Sequence, residues 1–389
     1  MKSINAPSDI NVSRILRLVW QKREISRIEI ASQLGIDKST VTKIVSSLID
    51  MGLISELSEG NTGPQGGRKP IFLEISPSFA CVGGVEINSG RYVCCLLDMY
   101  GKVLFQYAEA IEPGSYEIDM YQGIFLKAFE TLSSEAEKKG LPLVGIGVGF
   151  PGIVNSEEGI ITQSVPLMID EAYAFVEEVS KEIAIPLFIE NDARCCCYGE
   201  MLLAKTHDVK NMLYVLAEYR ILQPTKSSQK NLSVGLGIVF DGLILKGADF
   251  SAGEFRSLLW DEGNKGQFYS GEKKLEQLDE GAVQPVFFEL AQHIAFLVNT
   301  LNINQVYIGG IDKKYAEQLI DSINTRIRFQ WPYKAKQNYK VSLASLEMFA
   351  VSYGAAAMFL EQIFALPNLS LKSGMGESVL KTFESLKKN

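Results

Sequence analysis

The stretch "KSTVTKIVSSLIDMG", residues 38–52, places hydroxyl and lysine side chains along one side of a predicted helix. Val41, Ile44, Val45 and Leu48 recur at helical spacing and form the apolar side. Short polar side chains let a helix enter the major groove of DNA, where hydroxyls and lysines reach phosphates and base edges. The candidate DNA contacts are Lys38, Ser39, Thr40, Thr42, Lys43 and Ser46. The alternative is an ordinary helix with a solvated polar face.

Two shorter helices are predicted to position this one. Val12, Ile15, Leu16 and Val19 follow the i, i+3, i+4, i+7 spacing of a first amphipathic helix. In "SRIEIASQLG", residues 26–35, a serine three residues before a glutamate forms a capping box, and the last glycine ends a short second helix. The third helix after a glycine turn completes the order typical of a helix-turn-helix domain.

A hairpin follows the third helix. The stretch "LISELSEGNTGPQGGRKPIFLEI" has apolar and polar residues alternating on both sides of a centre rich in glycine and proline. This pattern indicates a wing with a long basic tip. Arg68 and Lys69 in that tip could enter a narrow minor groove. The alternative is a linker whose charges are solvated.

From about residue 80 the pattern changes to strands alternating with helices, which predicts an α/β body. A second such series begins near Asn211, and two α/β lobes imply a cleft for a small ligand. One carboxylate, Glu254 in "AGEFRS", directly follows a glycine in the second series. Its side chain could carry out chemistry, contact a ligand or stabilise a turn.

Several motifs occur together in a characteristic order. A winged helix is followed by "GVGFPGIV", "IENDA", "GLGIVFDGLILKGADFSAGE", "LNINQVYIGG" and "YGAAAM". In this order, from residue 10 to about residue 365, the chain resembles the ROK family of sugar-responsive repressors and sugar kinases. Within that family it is similar to the repressor branch, which includes the N-acetylglucosamine and xylose repressors. Each motif is weak alone, but their shared order is specific.

The resemblance implies a fold and a ligand. The fold is an N-terminal winged helix-turn-helix followed by a two-lobed, actin-like ATPase fold of the hexokinase and ribonuclease H type. The sugar contacts of the family correspond here to Asn191, Asp192 and Glu254, with Gly149 in the nearby glycine loop. We therefore predict residues 1–75 as the DNA-binding domain, 76–198 as the first lobe and 199–389 as the second, with C-terminal helices that can return to the first lobe.

The phosphate-binding turn departs from the kinase pattern. ROK kinases carry an Asp-x-Gly-Gly-Thr turn in the first lobe, whereas this chain has "EINSGR", residues 86–91. Phosphoryl transfer needs a backbone cradle and a metal for the nucleotide. We therefore expect no enzymatic activity and no cofactor, although the aspartate corresponding to Asp192 is the base in the kinases. A sugar kinase with a DNA-binding extension is the alternative.

The zinc loop of the family is also altered. The usual "GEIGH" is replaced by residues 253–257, "GEFRS", and the following loop contains no Cys or His, so we predict no metal site. The loop is expected to be held by packing through Trp260, Phe268 and Tyr269. His293 is predicted to be a packed core residue and His207 an exposed one.

Arg256 takes a place in this altered pocket. The arginine side chain is always charged, and its planar guanidinium can bind an anion through two hydrogen bonds. Arg256 therefore raises the hypothesis of an acidic or phosphorylated effector. The equally acceptable alternative is that Arg256 pairs with a local acid such as Asp261. A polar insertion at about residues 220–231 is interpreted as a surface loop near the cleft.

Composition agrees with a soluble globular regulator. The chain has 389 residues, 47% hydrophobic and 22% charged, with a net charge of −8. Residues 1–75 hold ten Lys and Arg against eight Asp and Glu, so the negative excess belongs to the body. The sequence has neither a signal peptide nor a membrane-length apolar run, which predicts a cytoplasmic protein. Six cysteines, in two clusters, lack the spacing of a disulfide framework or zinc site and are predicted to be core residues.

These observations together predict a repressor of carbohydrate-utilisation genes. Its expected partners are operator DNA and a carbohydrate or sugar-derivative effector, and it is expected to act as a homodimer or homotetramer without a membrane partner. A third possibility is a regulator whose degenerate body binds no sugar and serves as a platform for dimerisation or for another protein.

Overall fold

The N-terminal region forms a three-helix unit with a small sheet. In the computed structural model the described residues are 7–57, 70–111, 118–204, 209–221, 230–264, 266–270 and 280–364. The first elements are α1 (Pro7–Lys22), β1 (Ile25–Ser26), α2 (Arg27–Leu34), α3 (Lys38–Asp50), β2 (Ile54–Glu56) and β3 (Phe72–Ile75). Antiparallel β2 and β3 form the predicted wing, and β1 pairs with the other edge of β3. The wing tip, including Arg68 and Lys69, lies outside the described residues.

Local sequence signals account for the ends of these helices. Ser26 N donates to Glu29 Oε2 (2.9 Å) while Glu29 N donates to Ser26 Oγ (3.3 Å), so the predicted capping box is present. Gly35 ends α2 with a φ of 62°, a left-handed conformation that favours glycine. Ile15 and Val19 of α1 are fully buried, as their spacing predicts.

The first lobe is built on a mixed five-stranded sheet. Its elements are β4 (Cys81–Ile87), β5 (Arg91–Asp98), β6 (Val103–Ala110), α4 (Ile118–Lys138), β7 (Leu143–Phe150), β8 (Ile153–Asn155), β9 (Ile160–Gln163), α5 (Phe175–Val179), β10 (Leu187–Asn191) and α6 (Asp192–Leu203). The strand order is β10-β7-β4-β5-β6. β5 is antiparallel to both of its neighbours, β4 and β6, and β7 and β10 run parallel to β4.

The second lobe repeats this topology. Its elements are β11 (Met212–Ile221), β12 (Lys230–Phe240), β13 (Leu243–Ile244), α7 (Glu280–Leu301), β14 (Gln305–Gly309), α8 (Lys313–Gln330) and β15 (Lys340–Leu343). After a short 3-10 helix, Glu347–Phe349, the chain ends its described part in α9 (Ala350–Phe364). The order β13-β12-β11-β14-β15 again combines three antiparallel strands with two parallel ones. Two lobes of one topology confirm the predicted fold class.

The polar insertion is partly strand. Arg220 pairs with Asn231 and Ile221 with Lys230, so β11 and β12 extend into the segment that the sequence pattern suggested was a loop. Continued pairing satisfies backbone groups that a loop would leave to solvent. Interpreting the whole segment as a loop was therefore wrong, and residues 222–229 between the strands lie outside the described residues.

Two helices pack between the sheets at very close range. Gly84 of β4 and Gly147 of β7 lie against α9, where an added Cβ would come within 1.9 Å of Ser352 O and 2.0 Å of Ala355 O, respectively. On the other side, α6 packs on β12, where a Cβ on Gly237 would lie 2.5 Å from Ala193 O. The boundary predicted between residues 198 and 199 thus falls inside α6, which contacts both lobes.

The winged helix packs directly on the first lobe. Trp20 of α1 is buried, donates from Nε1 to Met99 O (2.8 Å) and stacks on Phe364 of α9 at a centroid distance of 4.9 Å. Arg23 covers the ring of Tyr100 at 4.1 Å. Apolar side chains of the winged helix, β4, β5 and α9 form one continuous core. The winged helix is therefore joined to the body by packing as well as by the chain.

All six cysteines are buried and unpaired, which confirms their prediction as core residues. Burial raises the pKa of Cys81, Cys94 and Cys95 to about 12, and raises that of Cys195 and Cys196 well above its ordinary value. The thiols therefore remain protonated at neutral pH. We expect an aromatic disulfide reagent at pH 8 to leave the native thiols largely unmodified and to titrate six after denaturation. Rapid labelling of the native protein would contradict this packing.

Candidate DNA-binding helix and ligand cleft

The third helix presents the predicted polar face. Asp37 precedes α3 and accepts from Ser39 N (2.8 Å), Thr40 N (3.4 Å) and the Ser39 hydroxyl. These bonds, the Ser39 hydroxyl first, lower the pKa of Asp37, so the cap is ionised at neutral pH. A carboxylate suits the positive end of the helix dipole. This cap was not predicted, although Asp before a helix is a common N-cap.

The apolar side chains of α3 face the core and most of its polar side chains are exposed, as their spacing predicts. Val41, Val45 and Leu48 are buried, and Ile44 is half-buried. Among the candidate DNA contacts Thr40 is half-buried, and the exposed ones are Lys38, Ser39, Thr42, Lys43 and Ser46. Thr42 Oγ1 donates to Lys38 O (2.8 Å), which leaves its oxygen free to accept. Five of these six side chains are accessible to a groove.

Asn191 and Asp192 lie where β10 meets α6. Asn191 caps α6 by accepting from Arg194 N (3.1 Å), and its Nδ2 donates to Gly152 O (3.0 Å). Asp192 is 4% exposed, and its Oδ1 accepts from Ala193 N (2.7 Å). The amide thus ties the glycine loop after β7 to the start of α6, and the carboxylate lies at that same helix end.

Glu254 comes close to this helix end across the two lobes. Gly235 of β12 forms an antiparallel bridge with Glu254, and a Cβ on Gly235 would lie 3.8 Å from Asp192 Oδ1. Glu254 N donates to Ser251 O (3.1 Å), and the Glu254 side chain is exposed. Asp192 and the backbone of Glu254 therefore both lie beside Gly235. The region around Gly235, to which these two acidic residues belong, is the candidate ligand cleft.

Gly149 has a different position from the one expected. It lies inside β7, not in the following loop, so its placement in the loop was wrong. A Cβ there would come within 2.4 Å of Val351 Cγ1 and 3.2 Å of Cys195 Sγ. Gly149 thus permits helices to pack on the sheet. The loop glycine is Gly152, with a φ of 102°.

Arg256 is exposed and lies with its guanidinium 4.3 Å from the ring centroid of Trp260. This cation–π contact orients the guanidinium without neutralising it. Asp261, the acid considered as its partner, accepts from Gly263 N (3.0 Å). Whether Arg256 contacts a ligand remains a prediction.

Hydrogen bonds hold the loop that lacks the zinc motif. Gln267 Nε2 donates to Val234 O (2.8 Å) and Phe255 O (2.9 Å), and Val234 N donates to Gln267 Oε1 (2.6 Å). Phe268 is buried against Phe255 at a centroid distance of 5.4 Å. Trp260 Nε1 donates to Gly266 O (3.0 Å). Predicting Trp260 and Phe268 as anchors was therefore correct.

The same loop is fastened to α7. Glu289, 1% exposed, accepts from Tyr269 N and Ser270 N, each at 2.9 Å. His293 Nε2 accepts from Leu258 N (3.0 Å), so Nδ1 donates to Glu289 O (2.8 Å). Two expectations were wrong: Tyr269 has an exposed ring and contributes its backbone, and His293 is a half-buried hydrogen-bonding residue. His207 lies outside the described residues.

Replacing Glu289 by alanine is expected to loosen this loop. Each buried donor left unsatisfied costs about 1–3 kcal/mol, so urea unfolding of Glu289→Ala should show a clear loss of stability. Glu317→Ala, at an exposed site on α8, is the matched control and should change stability by less than about 0.5 kcal/mol. Equal stability of both variants would contradict the assignment.

The pH dependence of this contact follows from its hydrogen bonds. Burial acts to raise the pKa of Glu289, but bonds from Ser257, Ser270 and Tyr269 together lower it below the ordinary value. A group whose pKa is lowered by folding contributes stability at neutral pH and loses it as pH falls through the folded-state pKa. The stability difference between wild type and Glu289→Ala should therefore shrink in acid.

The turn at residues 86–91, which the family resemblance aligns with the phosphate-binding turn of the kinases, is occupied by hydrogen bonds and ion pairs of its own side chains. Asn88 Oδ1 accepts from Gly90 N and Arg91 N, each at 3.0 Å. Arg91 Nη2 donates to Glu86 Oε1 (3.3 Å) and, across the cleft, to Glu218 Oε1 of β11 (3.0 Å). Both glutamates are buried. Glu218 was not predicted, because no local sequence pattern links it to a turn 127 residues earlier.

Comparisons with known proteins agree with this architecture. Residues 82–261 match the ROK family, and residues 12–58 match the MarR family. A putative xylose repressor of Caldicellulosiruptor sp. (strain Rt8B.4) is 23% identical, covering 92% of this chain and 97% of its own length. The xylose repressor of Staphylococcus xylosus is 26% identical, with coverage of 81% and 79%.

Solved structures show the same fold. A ROK family transcriptional regulator, a homolog of the Escherichia coli MLC protein, has a TM-score of 0.73 and 23% identity, covering 97% of this chain and 99% of that one. A ROK family glucokinase from Streptomyces griseus, in complex with glucose and AMPPNP, has a TM-score of 0.55 and 18% identity, with coverage of 72% and 99%. None of the helices within the described ranges is long and apolar enough to cross a membrane. The matches thus place a ROK-family domain at residues 82–261, behind a MarR-type winged helix at residues 12–58.

Proposed function

We propose that this protein is a sugar-responsive DNA-binding transcriptional regulator that represses carbohydrate-utilisation genes. One observation carries the proposal. The winged helix, with the polar face of α3 exposed, packs on the same lobe that contributes Asp192 to the cleft. The names of the relatives, xylose repressors over most of this chain, support it. No cofactor is part of the proposal.

DNA binding is assigned to α3 and the wing. The exposed lysines and hydroxyls of α3 contact phosphates and base edges in the major groove, and Arg68 and Lys69 of the wing tip contact the minor groove. Helix-turn-helix proteins bind paired half-sites as dimers, so the protein acts on its operator as a homodimer or homotetramer.

The effector is assigned to the cleft between the lobes. Asn191, Asp192 and Glu254 bind the hydroxyls of a carbohydrate, because carboxylates and amides accept from several hydroxyls at once. Arg256 adds a positive charge at the rim and favours an acidic or phosphorylated sugar. Ligand binding closes the cleft and shifts the population of conformations toward one that fits the operator less well.

The helices α6 and α9 connect the cleft to the winged helix. Asp192 begins α6, and α6 packs on α9 at Gly354, where an added Cβ would lie 1.8 Å from Cys195 O. At its other end α9 stacks Phe364 on Trp20. A displacement of α6 therefore passes to the DNA-binding unit through packed backbone, which is not easily compressed.

Phosphoryl transfer is not part of this function. Glu86 and Glu218 place two buried carboxylates around Arg91 in the turn that would have to meet nucleotide phosphates. Carboxylates repel phosphate, and the turn's amides already donate to Asn88.

DNA binding is tested with duplexes selected from a random-sequence pool by the purified protein. Lys43→Ala should weaken binding to the selected duplex and reduce the slope of log affinity against log salt by about 1, as for one lost phosphate contact. Lys334→Ala, an exposed lysine of the second lobe, is the control and should leave both quantities unchanged. Failure to select any sequence would refute the proposed function.

Effector binding is tested by thermal shift with D-xylose, N-acetylglucosamine, glucuronate and glucose 6-phosphate. A sugar at about a hundred times its Kd should add about 2.7 kcal/mol of stability. Asp192→Asn and Glu254→Gln should abolish the shift, whereas Glu137→Gln, at an exposed site on α4, should retain it. No shift with any sugar would favour a body that serves only for assembly.

The role of Arg256 is tested by the affinity of Arg256→Ala for the same sugar. An affinity equal to that of the wild type would exclude binding of an anionic group by Arg256.

A further inference from the structure

A buried arginine lies on α6, two residues after Asp192. Arg194 is 1% exposed and follows Asn191 by three residues on α6, among alanine and cysteine neighbours. It donates to four acceptors: Glu190 Oε1 from Nε (2.7 Å), Phe250 O and Ala252 O from Nη1 (3.0 and 3.3 Å), and Val154 O from Nη2 (3.2 Å). A charge this deep requires partners of this kind.

The acceptors come from the three segments that form the cleft. Glu190 lies on β10, directly before Asn191 and the start of α6. Val154 lies on β8, after the glycine loop. Phe250 and Ala252 belong to the loop that carries Glu254. We propose that Arg194 is a positioning residue, which holds these three segments in one geometry and thereby sets the distance between Asp192 and Glu254. As an effect on effector binding, this inference rests on the proposed function.

The chemistry of the side chain fits this role. The guanidinium is a planar fork of five donors, so it can reach acceptors in three directions at once, whereas lysine has one compact ammonium group. Glu190 compensates its charge and also accepts from Asn191 N (2.9 Å). The pair therefore holds the loop of the second lobe through main-chain carbonyls that no side-chain substitution in the loop would remove.

A second contact, made by Lys246, also attaches this loop to the first lobe. Lys246 Nζ, at the start of the same loop, donates to Ser156 Oγ (2.8 Å) and lies 4.0 Å from Glu190 Oε2. Ala252 N donates to Lys246 O (3.0 Å), which closes the loop on itself. The loop from Lys246 to Ala252 is thus attached to the first lobe at two points, and Arg194 is the buried one.

The test uses the full chain and a variant that leaves no buried charge. Arg194→Met combined with Glu190→Gln removes the fork and the ion pair together. Amide hydrogen exchange should become at least tenfold faster in residues 250–254, with exchange in α3 unchanged. Affinity for the sugar found in the thermal-shift screen should fall at least tenfold, and Arg194→Lys should recover part of both losses. Arg326→Met, on α8, is the control and should change neither.

Two results would overturn the inference. Exchange in residues 250–254 that stays at the wild-type rate would show that other contacts hold the loop. Protection lost equally across the first-lobe sheet would show that Arg194 acts only in stability. The exchange measurement needs no sugar, so if no sugar binds the wild-type protein, the proposed function fails while the loop experiment still decides the role of Arg194.

Discussion

Replacing Trp20 by alanine is expected to destabilise the protein by about 3–5 kcal/mol, the range for removing a buried tryptophan. The indole is 6% exposed, stacks on Phe364 and donates to Met99 O, so its loss opens a cavity and leaves a carbonyl without its donor. These contacts join α1 to the first lobe. We expect urea unfolding, followed by circular dichroism, to begin at a lower denaturant concentration.

The same substitution should also disconnect sensing from DNA binding. With the contact between α1 and α9 weakened, a sugar that binds the cleft should no longer change the affinity for DNA. Trp331→Ala is the matched control, because its Nε1 donates only four residues along the chain, to Ala335 O (2.8 Å). A Trp20→Ala protein with wild-type stability and an intact sugar response would exclude this connection.

Replacing Gly354 by alanine is the second large effect that we expect. An added Cβ would lie 1.8 Å from Cys195 O and 2.3 Å from Cys195 C, and these are backbone atoms of α6 that cannot rotate away. The two helices must separate, at a cost of about 1–3 kcal/mol or more for overpacking. Chemical denaturation should report the loss directly.

The same substitution at Gly123 on α4 is expected to have the opposite effect on stability. It is exposed, and an added Cβ would meet nothing within 4 Å. Gly123→Ala should therefore stabilise by about 0.5–1 kcal/mol through helix propensity. If Gly354→Ala were as stable as Gly123→Ala, the close packing of α6 on α9 would be wrong.

Local features of this fold could be read from the sequence. The capping box of Ser26 and Glu29, the left-handed Gly35 and the apolar side of α3 all depend on residues within four or five positions of one another. The repeated α/β topology followed from periodicity together with the resemblance to a known family. The polar placement of Asn191 and Asp192 at a strand end was also correct.

Contacts between distant segments could not be predicted in this way. Arg194 reaches carbonyls 56 and 58 residues away, and Arg91 reaches Glu218 across 127 residues. Gly149 resembled a loop glycine because a spacing pattern does not show which helix will pack on a strand. The loop that follows Glu254 is held by Glu289 and His293, which appeared in the sequence as members of an apolar helix.

The most direct test of the central claim is the affinity of the wild-type protein for its selected DNA duplex, measured by fluorescence anisotropy at fixed salt with and without the sugar found in the thermal-shift screen. We predict that the sugar weakens binding of the wild-type protein at least tenfold and leaves Asp192→Asn, which should bind the duplex equally well, unaffected. Selective DNA binding that the sugar changes in neither protein, or changes equally in both, would contradict the claim that this cleft controls DNA binding.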